Sequence, residues 1–431
     1  MKTQLCLLIL AAAATMWPAS SQAQSIQKLS LREAEQTAIQ NHPRIQAAVN
    51  LASAAKAQVT QARSAYYPTV YGSLTGVGAE NNSRIAAGAL NNPIIYDRYA
   101  NGVTVSQLVT DFGRTRELVK SSNLHAQAQQ ESIVTTRADV LLQVDESYFA
   151  ALKAQSVLTV ADETVKARQL ASDQVTELAK NKIRSDLDVN FANVNLAQAQ
   201  LLLIQAQNDL QSSFARLSAA LGYSDQRTFQ LTEEPLPAAP PADIASLIQQ
   251  ALKDRPELVG QRLDVGSAQS YATAERDLKL PTVSALGSAG LTAPYNDAPL
   301  APRYAAAGFN VNIPIFNGHL FGALQSEANF RAQAENQYLR DLQNQIVRDV
   351  QTAWLNANSA YQRLSVTDRL LEQANLALDL AQSRYRLGLS SIIEFSQAEL
   401  NQTEARIEQA SAKYDYDAQY SLLNYQLGAL R

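Results

Sequence analysis

The sequence predicts a mainly α-helical fold with four β-strands that enter a membrane, and three observations predict it. The chain of 431 residues contains an internal repeat. Each copy holds a very long proline-free stretch, at residues 114–180 and 319–386. A helix of that length spans roughly 100 Å, which no compact domain requires. Before each long stretch, apolar and polar residues alternate with a period of two, which indicates β-strands.

The N-terminus has the pattern of a secretory signal. Lys2 precedes an apolar run at residues 5–14, and Ser21-Gln22-Ala23 places small residues at a cleavage site after Ala23. An anchoring helix is the alternative, but this run is about half of the roughly 20 residues that cross a bilayer. The only cysteine, Cys6, lies inside the signal, so the mature chain is expected to lack disulfides and thiol chemistry. The formal net charge of −4 does not suggest nucleic-acid binding.

The repeat divides the remaining chain into two similar halves. Residues 41–45 (NHPRI) correspond to residues 254–258 (DRPEL), 213 positions later, and Leu221-Gly222 correspond to Leu427-Gly428, 206 positions later. Between the halves, residues 231–241 are too rich in proline for a regular helix. The predicted organisation is a signal peptide at 1–23, a first repeat at 24–222, a linker at 223–243 and a second repeat at 244–431.

Each repeat is predicted to contain a helix, two strands, a long helix and a return helix, in that order. The first helices are expected at residues 31–65 and 244–277, where proline occurs only near the beginning. The strands are expected at residues 68–79, 99–109, 281–291 and 304–315, with polar loops at 81–92 and 294–302. The return helices are expected at residues 187–221 and 392–427.

The second long helix carries a regular apolar seam. Its residues follow an unbroken spacing of four and three, a 3.5-residue period that predicts supercoiled helix packing, and the many alanines imply close approach of the helices. The seam consists of Ile346, Val350, Ala353, Ala357, Ala360, Leu364, Thr367, Leu371, Ala374, Leu378, Ala381 and Tyr385.

Four strands of this length suit a tilted crossing of a bilayer but cannot close a barrel. An open edge in lipid leaves backbone groups unpaired, so other copies of the chain must close it. Two copies would supply eight strands and three would supply twelve, and the residues alone do not choose between them. The alternative is that the strands form an edge of an ordinary soluble sheet. Beyond the signal, no apolar run of about 18 residues predicts a transmembrane helix.

In its motifs and their order the chain resembles the outer-membrane efflux family, the TolC-like proteins. The resemblance rests on the duplication, on residues 107–114 (QLVTDFGR) and 313–318 (IPIFNG) where strands lead into helices, and on residues 384–388 (RYRLG) at a turn. It implies a homotrimer with a shared twelve-stranded outer-membrane barrel and a helical coiled-coil tunnel through the periplasm. It also implies contact with outer-membrane lipid and partnership with a periplasmic adaptor (membrane fusion) protein and an inner-membrane transporter.

The resemblance places a pore entrance and gate where the long helices turn back. It implies that Asp188 and Glu394 are acids at the constriction and that Tyr385 ties the second turn to the first. Ser390 stands where better-known members have arginine, and Gln397 where they have a second acid, so a weaker latch and a thinner acidic ring are expected. The alternative for Asp186, Asp188 and Glu394 is that they are helix-start acids that satisfy backbone donors.

Adaptor contact is expected at the tips of the same turns, and its residues are Lys182, Arg184, Ser185, Gly388 and Leu389. Gly388 permits a positive φ angle, whereas its counterpart Lys182 lacks that freedom, so we expect the first turn to have a different shape. The alternative for Lys182 and Arg184 is that they are merely solvated.

Enzymatic chemistry has little support in the sequence. The three histidines, His42, His125 and His319, lie far apart and lack metal-ligand spacing, and no nucleotide motif or cofactor site is found. We therefore expect a non-enzymatic exit duct in the outer membrane, extending into the periplasm, that conducts substrates passively. A soluble periplasmic coiled-coil scaffold or adaptor is the alternative. The sequence does not indicate whether the cargo is a drug, a metal or a protein, nor which pump supplies it.

Overall fold

The computed structural model describes residues 27–78, 98–294 and 303–430. The predicted signal peptide at 1–23 and most of the two polar strand loops lie outside these ranges. The described part contains eight α-helices and six strands, and within each half a helical segment, two strands, a long helix and a return helix follow in the predicted order. No described helix is both long and apolar enough to cross a membrane.

The helices of the two halves match in length. Each half has helices of 11, 21, 67 and 35 residues, in that order. The first half holds α1 (Leu31–Asn41), α2 (Pro43–Arg63), α3 (Arg114–Lys180) and α4 (Asp186–Ala220), and the second holds α5 (Ile244–Asp254), α6 (Pro256–Arg276), α7 (Leu320–Arg386) and α8 (Ile392–Gln426).

The opening helix of each half is two helices, which corrects the prediction of one. The break falls at His42 and at Arg255, each of which precedes a proline and has an extended backbone, with ψ of 122° and 123°. The proline ring disfavours helical geometry in the preceding residue, while proline itself fits the first position of a new helix. The proline near the start of each stretch therefore marks a boundary and not an interruption.

The four predicted strands form one antiparallel sheet that joins the two halves. Its strands are β2 (Thr69–Val77), β3 (Arg98–Thr110), β5 (Thr282–Pro294) and β6 (Arg303–Asn312), in the order β2-β3-β5-β6. The central pair, β3 and β5, comes from different halves. Every residue of β6 is exposed. The apolar face predicted from alternation is thus not covered within one chain.

A second, smaller sheet was not predicted. The three-residue strands β1 (Gln27–Leu29) and β4 (Phe229–Leu231) pair in parallel and bring the start of the chain to the segment between the halves. Tyr148 on α3 fixes this pair, since its hydroxyl lies 2.9 Å from the Leu29 carbonyl oxygen and 2.6 Å from the Thr232 carbonyl oxygen, and accepts from the Thr232 N–H at 3.2 Å. We call β1, β4 and this tyrosine the strap.

The predicted seam on α7 is confirmed. Nine of its twelve residues are buried, and Leu364, Leu371 and Leu378 are partly exposed. In each half the long helix, α3 or α7, runs about 100 Å from the sheet to a tight turn. The return helix, α4 or α8, runs back along roughly the half of it next to the turn and forms a two-helix hairpin there. These two turns carry the predicted site residues.

Candidate functional site at the helix turns

The two turns have the same backbone conformation. Lys182 and Gly388 occupy equivalent positions and both have a positive φ, of 64° and 73°. In the first turn the Ile183 N–H donates to the Leu178 carbonyl at 2.9 Å, and in the second the equivalent Leu389 N–H donates to a carbonyl at 2.8 Å. This closure satisfies carbonyl groups that the end of a helix leaves without a partner.

The expectation that the first turn differs in shape was therefore wrong. Lys182 adopts the left-handed conformation despite its side chain, at a cost of roughly 1–2 kcal/mol. The hydrogen bonds that end the helix require that conformation whichever residue occupies the position. These hydrogen bonds stabilise the turn by more than the strained backbone of Lys182 costs. The side chain of Lys182 is exposed at the tip, as is Gly388.

Each return helix starts at a serine cap. Ser185 and Asp188 form a reciprocal capping box before α4, in which the Asp188 carboxylate accepts from both the backbone N–H and the hydroxyl of Ser185 at 3.0 Å. In α8 the Ser391 hydroxyl accepts from the Glu394 N–H at 3.3 Å. Asp188 thus has the helix-start role that the sequence left open, and Ser185 is tied to it.

Glu394 lies in the first turn of α8 with its carboxylate partly neutralised. Its Oε1 atom is 3.3 Å from the Nε atom of Arg384, and both side chains are about half exposed. A surface ion pair of this kind is weak and screened by salt, so the carboxylate still faces solvent as an anion. The neighbouring position 390 is less open, since the Ser390 hydroxyl is buried without a hydrogen-bond partner among the described residues.

Tyr385 is the centre of the contact between the two turns. It is 6% exposed, stacks on Phe395 with a centroid distance of 5.4 Å, and lies under the Arg184 guanidinium, which is 4.0 Å from the ring centroid. Arg184 also donates to the backbone oxygen of Tyr385. Burial, and then the charge of Asp188, raise the pKa of Tyr385. Arg184, expected at the exposed tip, instead links the turns inside the chain.

Of the four exposed apolar residues at the tips, the sequence analysis identified Leu389 and missed the other three. Ile183 and Leu389 are both 66% exposed, and Leu187 and Ile393 are 61% and 59% exposed. Both pairs are related by the 206-residue offset of the repeat, which is the signal that could have identified them. A cluster of exposed large apolar side chains at equivalent places on two turns is typical of an interaction surface.

The part of the chain that the structure describes was expected to lack a metal site, and the arrangement of its potential ligands bears on that point alone. No group of three or more histidine, cysteine, aspartate or glutamate side chains there is arranged to hold a metal ion. At the turns, Asp188 caps its helix and Glu394 pairs with Arg384.

Comparison with known proteins identifies the family. The family model described as "Outer membrane efflux protein" matches residues 34–223 and 247–429. Outer membrane protein TolC of Escherichia coli strain K12 is 21% identical over 404 residues, 90% of this chain and 79% of that protein. Alkaline protease secretion protein AprF of Pseudomonas aeruginosa is 23% identical over 413 residues, 93% of this chain and 85% of that protein.

Among solved structures, the outer-membrane channel OprN has the same fold. The two superimpose with a TM-score of 0.80 at 20% identity, over 93% of this chain and 90% of the other. The match of the family model covers most of both halves, including the helices on either side of each turn. The chain belongs to the outer membrane efflux protein family.

Proposed function

We propose that this chain is one protomer of an outer-membrane exit duct, which conducts substrates passively from an inner-membrane transporter and a periplasmic adaptor to the exterior. One observation carries the proposal. A four-stranded sheet with exposed faces stands at one end of two helices about 100 Å long, and apolar turns stand at the other. Energy would come from the partner pump.

Three copies would close the sheet into a twelve-stranded barrel. In one chain the outer strands β2 and β6 each pair on one side only, and such edges in lipid leave backbone groups without partners. The exposed apolar side chains of β6, Phe309 and Val311, would then face lipid. The number three comes from the resemblance to the family, and the open edges support closure by other copies. A soluble scaffold would leave this surface in water.

Two tandem repeats would build each protomer, at 24–222 and 244–431, joined by a linker at 223–243 and preceded by a signal at 1–23. The equal lengths of the four helices in each half support a duplication. The linker would do more than connect, because its strand β4 belongs to the strap.

The pore entrance would lie at the turns, with Asp188, Glu394, Tyr385 and Ser390 as its residues. Three copies of the half-exposed Glu394 near an axis would raise the local concentration of cations and resist anions. Asp188 would add charge while capping its helix. The tie between the turns would depend on Arg184 and Tyr385, because Ser390 has no partner among the described residues.

Adaptor contact would use the exposed tip, with Lys182, Gly388 and Leu389 as direct contacts. Arg184 and Ser185 would act behind them by fixing the shape of the turn, since both are engaged within the chain. The exposed apolar residues Ile183 and Leu389 would supply the buried centre of that interface. The family description names efflux, and the name of the relative AprF names protease secretion, so drugs, metals and proteins all stay open as cargo.

The first test is the mass and conductance of the detergent-extracted mature protein. We expect about three protomers per particle and discrete channel openings in a planar bilayer. A water-soluble, non-conducting species would contradict the duct and favour a scaffold.

The entrance is tested separately with Glu394→Gln, compared with Glu404→Gln, which removes an exposed carboxylate ten residues further along α8. We expect weaker cation selectivity and weaker divalent block only in the first variant. Equal behaviour of the two variants would remove Glu394 from the entrance and leave the duct intact.

A further inference from the structure

The side chain of Tyr304 lies across two neighbouring strands on one face of the four-stranded sheet. Tyr304 on β6 pairs with Gly290 on β5, which pairs in turn with Gly102 on β3, so the three residues form one row. A Cβ atom on Gly290 would lie 2.7 Å from the Tyr304 hydroxyl oxygen. A Cβ atom on Gly102 would overlap that oxygen and lie 3.2 Å from the ring carbon Cζ. Because adjacent strands are about 4.8 Å apart, a ring that reaches the second strand lies along the sheet and does not stand up from it.

The two glycines leave room that the rows on either side do not have. On the same face, the next row toward the helices holds Ser288 and Thr104, and the next row toward the loops holds Thr292 and Ala100. Each of these four residues has a Cβ atom that projects from the sheet where the ring would otherwise lie. We call the shallow space above Gly102 and Gly290 the glycine niche.

The niche is on the polar face of the sheet. Alternate residues of a strand share a face, and the face of Tyr304 carries hydroxyl and amide side chains, which include Ser73, Thr104, Ser106, Ser288 and Asn310. The opposite face carries exposed large apolar side chains, which include Val70, Leu74, Val103, Phe309 and Val311. A membrane barrel turns its apolar face to lipid and its polar face to the lumen. In the proposed duct the niche is therefore on the inner wall, near the strand ends that lead into the outer loops.

We propose that the glycine niche sets the free width of the duct near its outer end, by holding the Tyr304 ring flat against the inner wall. This inference rests on the proposed function. Tyr304 is 40% exposed, so one side of the ring borders the lumen while the other lies on the glycines. A side chain in the niche would lift the ring, and every copy of the chain in the barrel would then turn a bulky group toward the axis. Large cargo would be excluded, and small solutes would still pass.

Labelling of a single cysteine with maleimides of graded size, added outside intact cells, tests the niche. The reporter is Asn310→Cys, which is exposed on the same face of β6, about 20 Å closer to the helices than Tyr304. A reagent that enters from outside passes Tyr304 before it reaches this cysteine. Cys6, the only natural cysteine, lies in the predicted signal, so protein without the reporter measures the background.

Gly102→Ala should abolish labelling by the largest polymer-linked maleimide that reacts with the reporter alone, and it should leave labelling by a small maleimide unchanged. Gly308→Ala is the matched control, because its Cβ atom is on the same face and meets nothing within 4 Å. This control should keep the labelling by the large reagent. Adding Tyr304→Ala to Gly102→Ala should restore it, because the ring that blocks the lumen is gone.

The proposal fails if Gly102→Ala is labelled like Gly308→Ala, or if the double variant still excludes the large reagent. If Gly102→Ala does not reach the outer membrane, Tyr304→Ala should rescue its assembly, and a failure to rescue would overturn the overlap between niche and ring. A reporter that even the small maleimide does not reach would contradict the open lumen, and thus the proposed duct itself. An unchanged size limit with good labelling by the small reagent would remove the niche alone.

Discussion

Removing one partner of the buried ion pair between Arg168 and Glu399 should destabilise the contact between α3 and α8. Both residues are almost fully buried, at 8% and 7% exposure. The Arg168 guanidinium pairs with the Glu399 carboxylate and also approaches the Thr403 hydroxyl at 3.4 Å. Glu399→Gln would leave the cation in the same site without its anion.

The magnitude follows from the cost of keeping that cation buried. Burial lowers the pKa of Arg168 to about 10 from an ordinary 12.5. At about 1.4 kcal/mol per pKa unit, this burial cost is roughly 3–4 kcal/mol, and the Glu399 carboxylate offsets it in the wild type. This agrees with the roughly 3–5 kcal/mol expected when a buried ion pair loses one member. Replacing both residues, with Arg168→Met and Glu399→Leu, should cost much less because no buried charge is left behind.

Native-state hydrogen exchange of amides 395–403 on α8 measures this change locally. Lowering the free energy of local opening by about 3 kcal/mol speeds exchange by more than a hundredfold. Glu404→Gln removes an exposed carboxylate on the same helix and is the matched control. If Glu399→Gln exchanged no faster than this control, or if the double variant opened more readily than the single one, the reasoning from buried charge would be refuted.

Four further substitutions test the strap and the turns. Tyr148→Phe removes the hydroxyl that bonds the strap, and thermal unfolding should show a loss of about 1–3 kcal/mol. Lys182→Gly relieves the positive φ and should stabilise the first turn by about 1 kcal/mol, seen as slower exchange there, while Gly388→Ala should do the opposite in the second. Ser391→Ala removes a helix cap and should destabilise the first turn of α8 by about 1 kcal/mol, seen as faster exchange there.

Long periodic segments could be predicted closely from the sequence. The predicted ends of the long and return helices lie within a residue or two of those observed, because a seam repeated over some forty residues outweighs local preferences. The tight turns between them contain glycine or lysine followed by a serine cap, which marks where a helix restarts. The strands were found because alternation and flanking proline act together.

Contacts between distant residues could not be predicted in this way. The strap pairs strands of three residues, which are too short to show a period. Arg184 reaches Tyr385 across 201 positions. The conformation of Lys182 was misjudged because residue preference was weighed without the hydrogen bonds that close the helix. In each instance tertiary structure decides what local sequence leaves open.

Helices α3 and α7 have the same length, and so do α4 and α8, so the turns of the two hairpins lie at the same distance from the sheet. Deleting seven residues from one long helix would shorten it by roughly 10 Å and pull its turn away from the other. Arg184 would then miss Tyr385. Only deletions of whole heptads, made in all four helices together, would keep both the seams and the turns in register. The distance from the sheet to the turns can therefore change only in steps of fixed size made in all four helices, never by a single insertion.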